Sequence, residues 1–404
     1  MENLMDTAET QLSDSTTKVN SAMNATTLIS DELTENVPGE VISDTVEKDA
    51  EMEKLHGHYL DLINGSAIYY PVSYTFQGKL GAGRQGQVFL SLRQGGRGSL
   101  TRHAIKIFDP SIYLNTSRYW TDMGRIASQL SVLQNAVSPH LCTLESYDEV
   151  NGIGYVQMEV VKGFDLRTLL DGKDFNLIRD HSTLEEWEKF NRSFYRISDN
   201  RVCIQPGVAI YILRMMLKGL EVLHELGFLH ADIKPANVMI NKLGYVKLID
   251  FGRAVKTSEK SRILFGSPLY MAPEIHRRKA ASVRSDIYSV GLVGLEMLRG
   301  KTLVDPGTTT ESELLEIKLA LHENLEDYLP AHILENTEFV RVLKKFLHPD
   351  PDQRYQNAKQ AETEGEGIRV IHKQLTLTGQ DADYTRLAGE FVSKYLEIKT
   401  TAKS

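Results

Sequence analysis

The stretch His230-Ala231-Asp232-Ile233-Lys234-Pro235-Ala236-Asn237, followed thirteen positions after Asn237 by Asp250-Phe251-Gly252, constrains this chain more than any other feature. It sets two carboxylates, an ammonium and an amide on two loops inside otherwise apolar runs. Such a set suits a magnesium-bound triphosphate held beside a hydroxyl, because magnesium takes hard oxygen ligands and shares its shell with substrate phosphates. Asp-Phe-Gly alone arises by chance. The spaced pair of loops does not.

Upstream, Leu80-Gly81-Ala82-Gly83-Arg84-Gln85-Gly86-Gln87-Val88 is a glycine-rich turn between two strand-like runs, and Lys106 follows Gly86 by twenty residues in Ala104-Ile105-Lys106. A dinucleotide-binding turn runs from strand into helix, so a strand-to-strand turn argues against that alternative. Lys106 interrupts an apolar strand, where an idle ammonium is costly to desolvate unless it reaches water. Downstream lie Gly266-Ser267-Pro268, Ala272-Pro273-Glu274, Ser285-Asp286-Ile287-Tyr288-Ser289-Val290-Gly291 and Arg354.

These motifs, in this order over about residues 70 to 375, resemble the eukaryotic-type serine/threonine protein kinase family. The resemblance implies an α+β, bilobal fold: a small antiparallel-sheet lobe with one main helix, and a mostly helical large lobe. It implies ATP and Mg2+ as cofactors and a protein substrate bearing a Ser or Thr acceptor. Asp232 would accept the hydroxyl proton, Lys234 would neutralise charge developing on the transferred group, and Lys106 would contact the alpha and beta phosphates. Asn237 and Asp250 would ligate the metal. Gly81, Ala82, Gly83 and Gly86 would bring backbone to the phosphates. Leu80, Val88, Ala104 and Met239 would sandwich the adenine, Glu159 and Val161 would read its edge, Met158 would gate the back pocket, and Asp165 would take a ribose hydroxyl. Ser267 would bond near Asp232 and Lys234, and Arg354 would pair with Glu274.

The net charge of −8 is unevenly spread: residues 1–55 hold thirteen Asp or Glu against three Lys or Arg, leaving the rest near +2. The first 55 residues read as an acidic, disordered extension that cannot bury enough apolar surface to offset its ordering entropy. Residues 56–161 form the small lobe with its lead-in, 162–378 the large lobe with a long polar insert at 171–205, and 379–404 an amphipathic helix from about Asp383 to Ile398. No basic face suggests nucleic acid, and no run approaches the roughly 18 apolar residues of a membrane helix. Two cysteines make neither a disulfide framework nor a zinc site, and the N-terminus lacks a signal peptide, so a cytoplasmic location is expected.

Periodicity predicts a small-lobe helix carrying Ile126, Leu130, Leu133 and Val137, a strand over Gly154–Val161, a long helix from Gly207 to about Leu226, and a helix from near Thr183 carrying Trp187, Phe190, Phe194 and Tyr195. Those aromatics pack on the large lobe or, alternatively, meet a partner. Leu387, Ala388, Phe391, Val392, Tyr395 and Leu396 form a stripe that docks on the body or mediates self-contact.

Two departures from the family pattern stand out. No glutamate lies between Lys106 and Glu145, and the helix position that pairs with the strand lysine is Gln129. Either another carboxylate serves (Asp109 or Asp122), or activity is reduced, or the nucleotide itself places the lysine; a pseudokinase binding module is the alternative reading. Secondly, Ala231 replaces the arginine that usually receives an activation-segment phosphate. Alanine at Thr257, Ser258 and Ser261 together is therefore expected to leave turnover within about twofold of the parent, since no guanidinium waits for a phosphate there; loss of turnover in a phosphotransfer assay would refute this.

Overall fold

The computed structural model describes residues 50–69, 72–198, 201–259, 266–363, 365–377 and 383–401. Most of the acidic extension, Ser261 and positions 379–382 lie outside the described residues. Residues 50–55, assigned above to the disordered extension, are helical instead. They open α1 (Ala50–Gly65), whose Leu55, Tyr59 and Leu62 recur at spacings of four and three and are buried in the small-lobe core. That short apolar stripe was masked by the acidic composition around it.

Six strands follow in one antiparallel sheet of order β1-β2-β3-β4-β6-β5: β1 (Ala67–Ile68), β2 (Tyr74–Gly83), β3 (Gly86–Gln94), β4 (Leu100–Phe108), β5 (Leu144–Val150) and β6 (Ile153–Met158). Between β4 and β5 lies α2 (Thr116–Leu133), capped by the Asn115 side chain, which accepts from the Arg118 amide. Its Tyr119, Met123, Ile126 and Leu130 pack on the sheet. Val137 does not belong to this helix. It lies beyond the end at Leu133, is 93% exposed, and is followed closely by Pro139, which disfavours helical backbone before it.

The strand expected to run to Val161 stops at Met158. Just beyond it, the Glu159 amide donates to the Thr143 carbonyl (3.0 Å), while its carboxylate accepts from the Thr143 amide (2.8 Å) and from Lys247 Nζ (2.7 Å). One side chain thus ties the strand connecting the lobes to the large lobe.

In the large lobe, β7 (Gly163–Asp165) leads into α3 (Leu166–Leu169) and the insert, which holds α4 (Gly172–Asp180), α5 (Leu184–Ser193) and the hairpin β8 (Tyr195–Ser198)–β9 (Arg201–Ile204). Thr183 and Glu186 form a capping box at the start of α5. The helix ends at Ser193, so Tyr195 opens a strand rather than continuing the helix as expected. The C-terminal helix (Tyr384–Thr401) buries Ala388, Phe391, Val392 and Tyr395 against the body. The Phe391 ring meets Phe190, Phe194 and Tyr195 at centroid distances of 5.1, 4.1 and 5.1 Å. Lys189–Glu390 (2.7 Å) and Lys394–Glu186 (2.8 Å) flank this contact. Insert and C-terminal helix cover each other.

The core of the lobe is α6 (Pro206–Glu225), with Val208, Ile212, Leu213, Met216, Leu217, Leu220 and Leu223 buried, packed on α8 (Val283–Arg299), which is buried along nearly its whole length. Between them run β10 (Phe228–Leu229), the hairpin β11 (Val238–Asn241)–β12 (Val246–Leu248), β13 (Val255–Lys256) and the short α7 (Pro273–His276). After α8 comes α9 (Glu311–Ala320) and a series of short helices. Among the described residues no helix is long and apolar enough to cross a membrane. Truncating Phe391→Ala opens the aromatic contact under the insert and is expected to cost about 3–5 kcal/mol, read as a lower urea midpoint at unchanged slope.

Candidate active site

The hairpin β11–β12 sets the geometry. Val238 pairs with Leu248, so Asn237 and Ile249, the residues just outside the hairpin, emerge side by side. The Ile249 amide donates to the Asn237 carbonyl (3.0 Å), and His230 Nε2 donates to the Ile249 carbonyl (3.1 Å). Two loops separated in sequence therefore open into one cleft, carrying Asp232 on one and Asp250 on the other.

Asp286 of α8 fixes the first loop. Its two oxygens accept from the His230 amide (2.9 Å) and the Ala231 amide (2.9 Å), and His224 Nε2 adds a third contact (2.9 Å). Burial alone would raise the Asp286 pKa, but these partners hold it below the usual carboxylate range. The loop turns through Ala231 at φ 61°, a left-handed conformation that is uncommon outside glycine.

Asp232 then meets three side chains. Its Oδ2 accepts from Lys234 Nζ (2.8 Å) and Asn237 Nδ2 (3.2 Å), and its Oδ1 accepts from Ser267 Oγ (3.2 Å). Lys234 Nζ also reaches Ser267 Oγ (3.2 Å), as expected of that serine. Asn237 Nδ2 is bound to the Asp232 carbonyl as well (2.7 Å), which leaves its Oδ1 as the atom able to face a cation.

On the second loop Asp250 sits at φ 63° with Phe251 packed beneath the His230 ring, 5.4 Å between centroids. Its Oδ1 accepts from Lys106 Nζ (2.5 Å) and from the Gly252 amide (3.3 Å). Burial would raise the Asp250 pKa; the Lys106 ammonium outweighs it and holds the carboxyl far below its ordinary value. Lys106 also donates to Gln85 Oε1 (2.9 Å) at the tip of the glycine-rich turn.

Gln129, placed by sequence where Lys106 would find a partner, does not touch it. The Gln129 Nε2 donates to the Ala254 carbonyl (2.8 Å), and its Oε1 accepts from Arg125 Nη1 (3.0 Å). The two substitute carboxylates are occupied too: Asp109 accepts from the Ser111 amide (2.8 Å), and Asp122 holds Arg125 (2.7 Å) and accepts from Tyr113 Oη (2.6 Å). The carboxylate that Lys106 meets is Asp250 itself.

Of the three glycines, only Gly86 is demanded by the protein's own packing: a Cβ there would lie 1.9 Å from the Ile107 carbonyl oxygen at φ +138°. A Cβ at Gly81 or Gly83 would meet nothing within 4 Å. Val88 pairs with both Gly81 and Lys106, Ala82 with Gln87, and Ala104 with Met158, so the expected base-binding residues sit on adjoining strands around the lysine. Leu80 is half-exposed on β2, and Met239 faces Asp165 across the β11–β7 pair. Val161 packs partly buried on the large-lobe core at the connection between lobes. Asp165 caps α3, accepting from the Thr168 amide (2.9 Å) and Thr168 Oγ (3.0 Å). A residue at the entry of a helix satisfies orphan amides first.

Below Ser267 the chain forms a platform that sequence reasoning did not find in full. Arg354 clasps Glu274 with two parallel contacts of 2.9 and 2.8 Å, and Ser285 Oγ adds 2.8 Å. Lys318 of α9, fully buried, gives its three protons to the carbonyls of Pro268 (2.6 Å) and Met271 (2.7 Å) and to His276 Nε2 (3.0 Å). His276 Nδ1 in turn donates to Glu311 (3.0 Å). The available signal was a lone lysine inside Ile317-Lys318-Leu319-Ala320-Leu321, the same kind of interruption that marked Lys106.

Comparison with known proteins places residues 74–364 in a match to the protein kinase domain family model. The serine/threonine-protein kinase ULK3 of Xenopus laevis is 31% identical over 202 residues, covering 49% of this chain and 42% of the relative. Serine/threonine-protein kinase PknB of Mycolicibacterium smegmatis is 34% identical over 176 residues, covering 41% and 27%. Ribosomal protein S6 kinase alpha-6 of Homo sapiens is 26% identical over 319 residues, covering 78% and 36%. The chain thus spans less than half the length of each of these relatives.

His276 yields a pH prediction. Burial and the neighbouring Lys318 ammonium drive its pKa down to about 3 from an ordinary 6.5. The unfolded chain therefore binds a proton that the folded chain refuses, so stability is complete above 6.5 and falls as pH drops toward 3, by about 1.4 kcal/mol per unit. His276→Gln keeps one acceptor for Lys318 and one donor for Glu311 without a titrating ring. Urea midpoints measured between pH 7 and 4.5 should fall less steeply for this variant, by about one proton.

Proposed function

Since the chain belongs to the protein kinase family, we propose that it is an ATP- and magnesium-dependent serine/threonine protein kinase. The observation that carries this reading is the joint placement of Asp232, Lys234, Asn237, Asp250 and Lys106 around one cleft, with the two acidic loops bonded to each other. Asp232 accepts the proton of an incoming hydroxyl and aims its oxygen, as a carboxylate within reach of a polar acceptor does. Lys234, 2.8 Å from Asp232, supplies positive charge where negative charge develops. Lys106 fixes the position of Asp250 before any ligand arrives.

The donor set fits magnesium: one carboxylate oxygen from Asp250 and one amide oxygen from Asn237 leave room for phosphate and water in the shell. When bound, the metal neutralises phosphate charge and orients the transferred group. Among the described residues no cluster of three His, Cys, Asp or Glu side chains could hold a metal without such shared ligands.

A serine acceptor platform is supported by Ser267, which bridges Asp232 and Lys234, and by the buried clasps on the 268–274 segment that follows. Independence from activation-segment phosphorylation is supported by Ala231, which presents a methyl group at the position in question. The rival reading, a nucleotide-responsive binding module, rests on Gln129 standing where the family has a glutamate; the Lys106–Asp250 contact supports the enzyme reading by giving the lysine a charged partner without it.

Incubation of the full chain with labelled ATP, magnesium and a generic protein, beside Asp250→Ala and Asp232→Asn variants, tests the assignment. Transfer to Ser or Thr that falls at least about a hundredfold in both variants is expected. Equal background in all three proteins would favour the binding module.

A further inference from the structure

Three small-lobe side chains converge on two carbonyls just beyond Asp250. Arg125 Nη2 donates to the Gly252 carbonyl (3.1 Å) and Arg125 Nη1 to the Ala254 carbonyl (3.0 Å). Gln129 Nε2 donates to the same Ala254 carbonyl (2.8 Å), and Gln85 Nε2 approaches the Gly252 carbonyl at 3.5 Å. Asp122, one turn earlier on α2, orients the guanidinium through Nε (2.7 Å), and Gln129 Oε1 receives Nη1 (3.0 Å). Gln129 is buried and bonded through both ends of its amide.

We propose that Arg125 and Gln129 act as positioning residues for phosphoryl transfer, by clamping the Gly252 and Ala254 carbonyls to α2 and so holding the Asp250 loop in register with the small lobe. The inference rests on the kinase reading above and says how that site does without a glutamate on α2. An ion pair between helix and strand lysine is replaced by a neutral amide and a guanidinium bonded to backbone. The amide is required at position 129 because that side chain must donate to one group and accept from another, which a carboxylate cannot do. Arginine is required at 125 because only its planar fork reaches two carbonyls while a third nitrogen meets Asp122.

The polarity of position 129 makes the clamp testable with little change in shape. Gln129→Glu keeps the acceptor for Arg125 but turns the donor facing Ala254 into an oxygen, setting two acceptors against each other. Arg125→Lys keeps the charge beside Asp122 but cannot span both carbonyls. In the full chain with Mg-ATP and a generic protein substrate, each variant is expected to lower kcat about tenfold or more. The loss falls on kcat more than on the KM for ATP, because neither variant alters Lys106 or the glycine-rich turn. Hydrogen exchange at the amides of residues 251–257 should speed up by a similar factor to the loss in kcat. Turnover in Gln129→Glu equal to or above the parent, or unchanged exchange in both variants, would overturn the clamp. Should the parent itself transfer no phosphate, the kinase reading fails by that result alone, and the exchange measurement still decides for or against the clamp.

Discussion

A single ammonium–carboxylate contact, Lys106 to Asp250 at 2.5 Å, joins the sheet of the small lobe to the Asp250 loop of the large one. Both groups sit at the cleft, the lysine almost fully covered and the aspartate partly open. A covered ammonium without a partner is expensive, and an acidic loop beside Asp232 without a cation would repel it. The pair removes both penalties at once. It also brings the glycine-rich turn along, since Gln85 shares the lysine. The site is assembled from the chain's own charges before substrate is considered, which is the arrangement that lowers reorganisation during reaction.

The floor of the site is held by a different device. Arg354 and Lys318 are long cations placed where water does not reach, each with every proton directed at an oxygen or nitrogen. Among their targets are Pro268, Met271 and Glu274, in a segment that has little regular structure of its own. Irregular backbone has no ladder to define it, so its shape must be dictated by side chains from neighbouring helices. Asp286 performs the same service for the loop at His230. Buried charge here fixes conformation more than it adds stability.

Much of this was legible in the sequence, for reasons that differ by residue. Asp232, Lys234, Asn237 and Asp250 announced themselves as polar groups within apolar runs, and the hairpin between them made their convergence a matter of strand pairing. Lys106 is readable likewise, whereas the Arg354–Glu274 pair follows only from the family resemblance. What resisted reading was partner choice. The position of Gln129 on its helix is readable but its partner is not, because hydrogen-bond partners depend on rotamers and here on a backbone carbonyl 125 residues away. The cap that Asp165 makes to the Thr168 amide is likewise a local contact that the motifs do not announce. The first turn of α1 was lost in the charge of its surroundings, and Tyr195 was carried into a helix whose end has no sequence punctuation before Ser193.

The glycine-rich turn shows unequal constraint along its length. Gly86 is locked by an oxygen on the adjoining strand, while the surroundings of Gly81 and Gly83 are open. Mechanically this is a flap pinned at one corner. An added methyl at the pinned corner disturbs folding before any ligand arrives, whereas one at the free margin is sensed only by whatever lies beneath. The three positions, alike in the motif, are therefore held to glycine by two different kinds of crowding, one internal and one external.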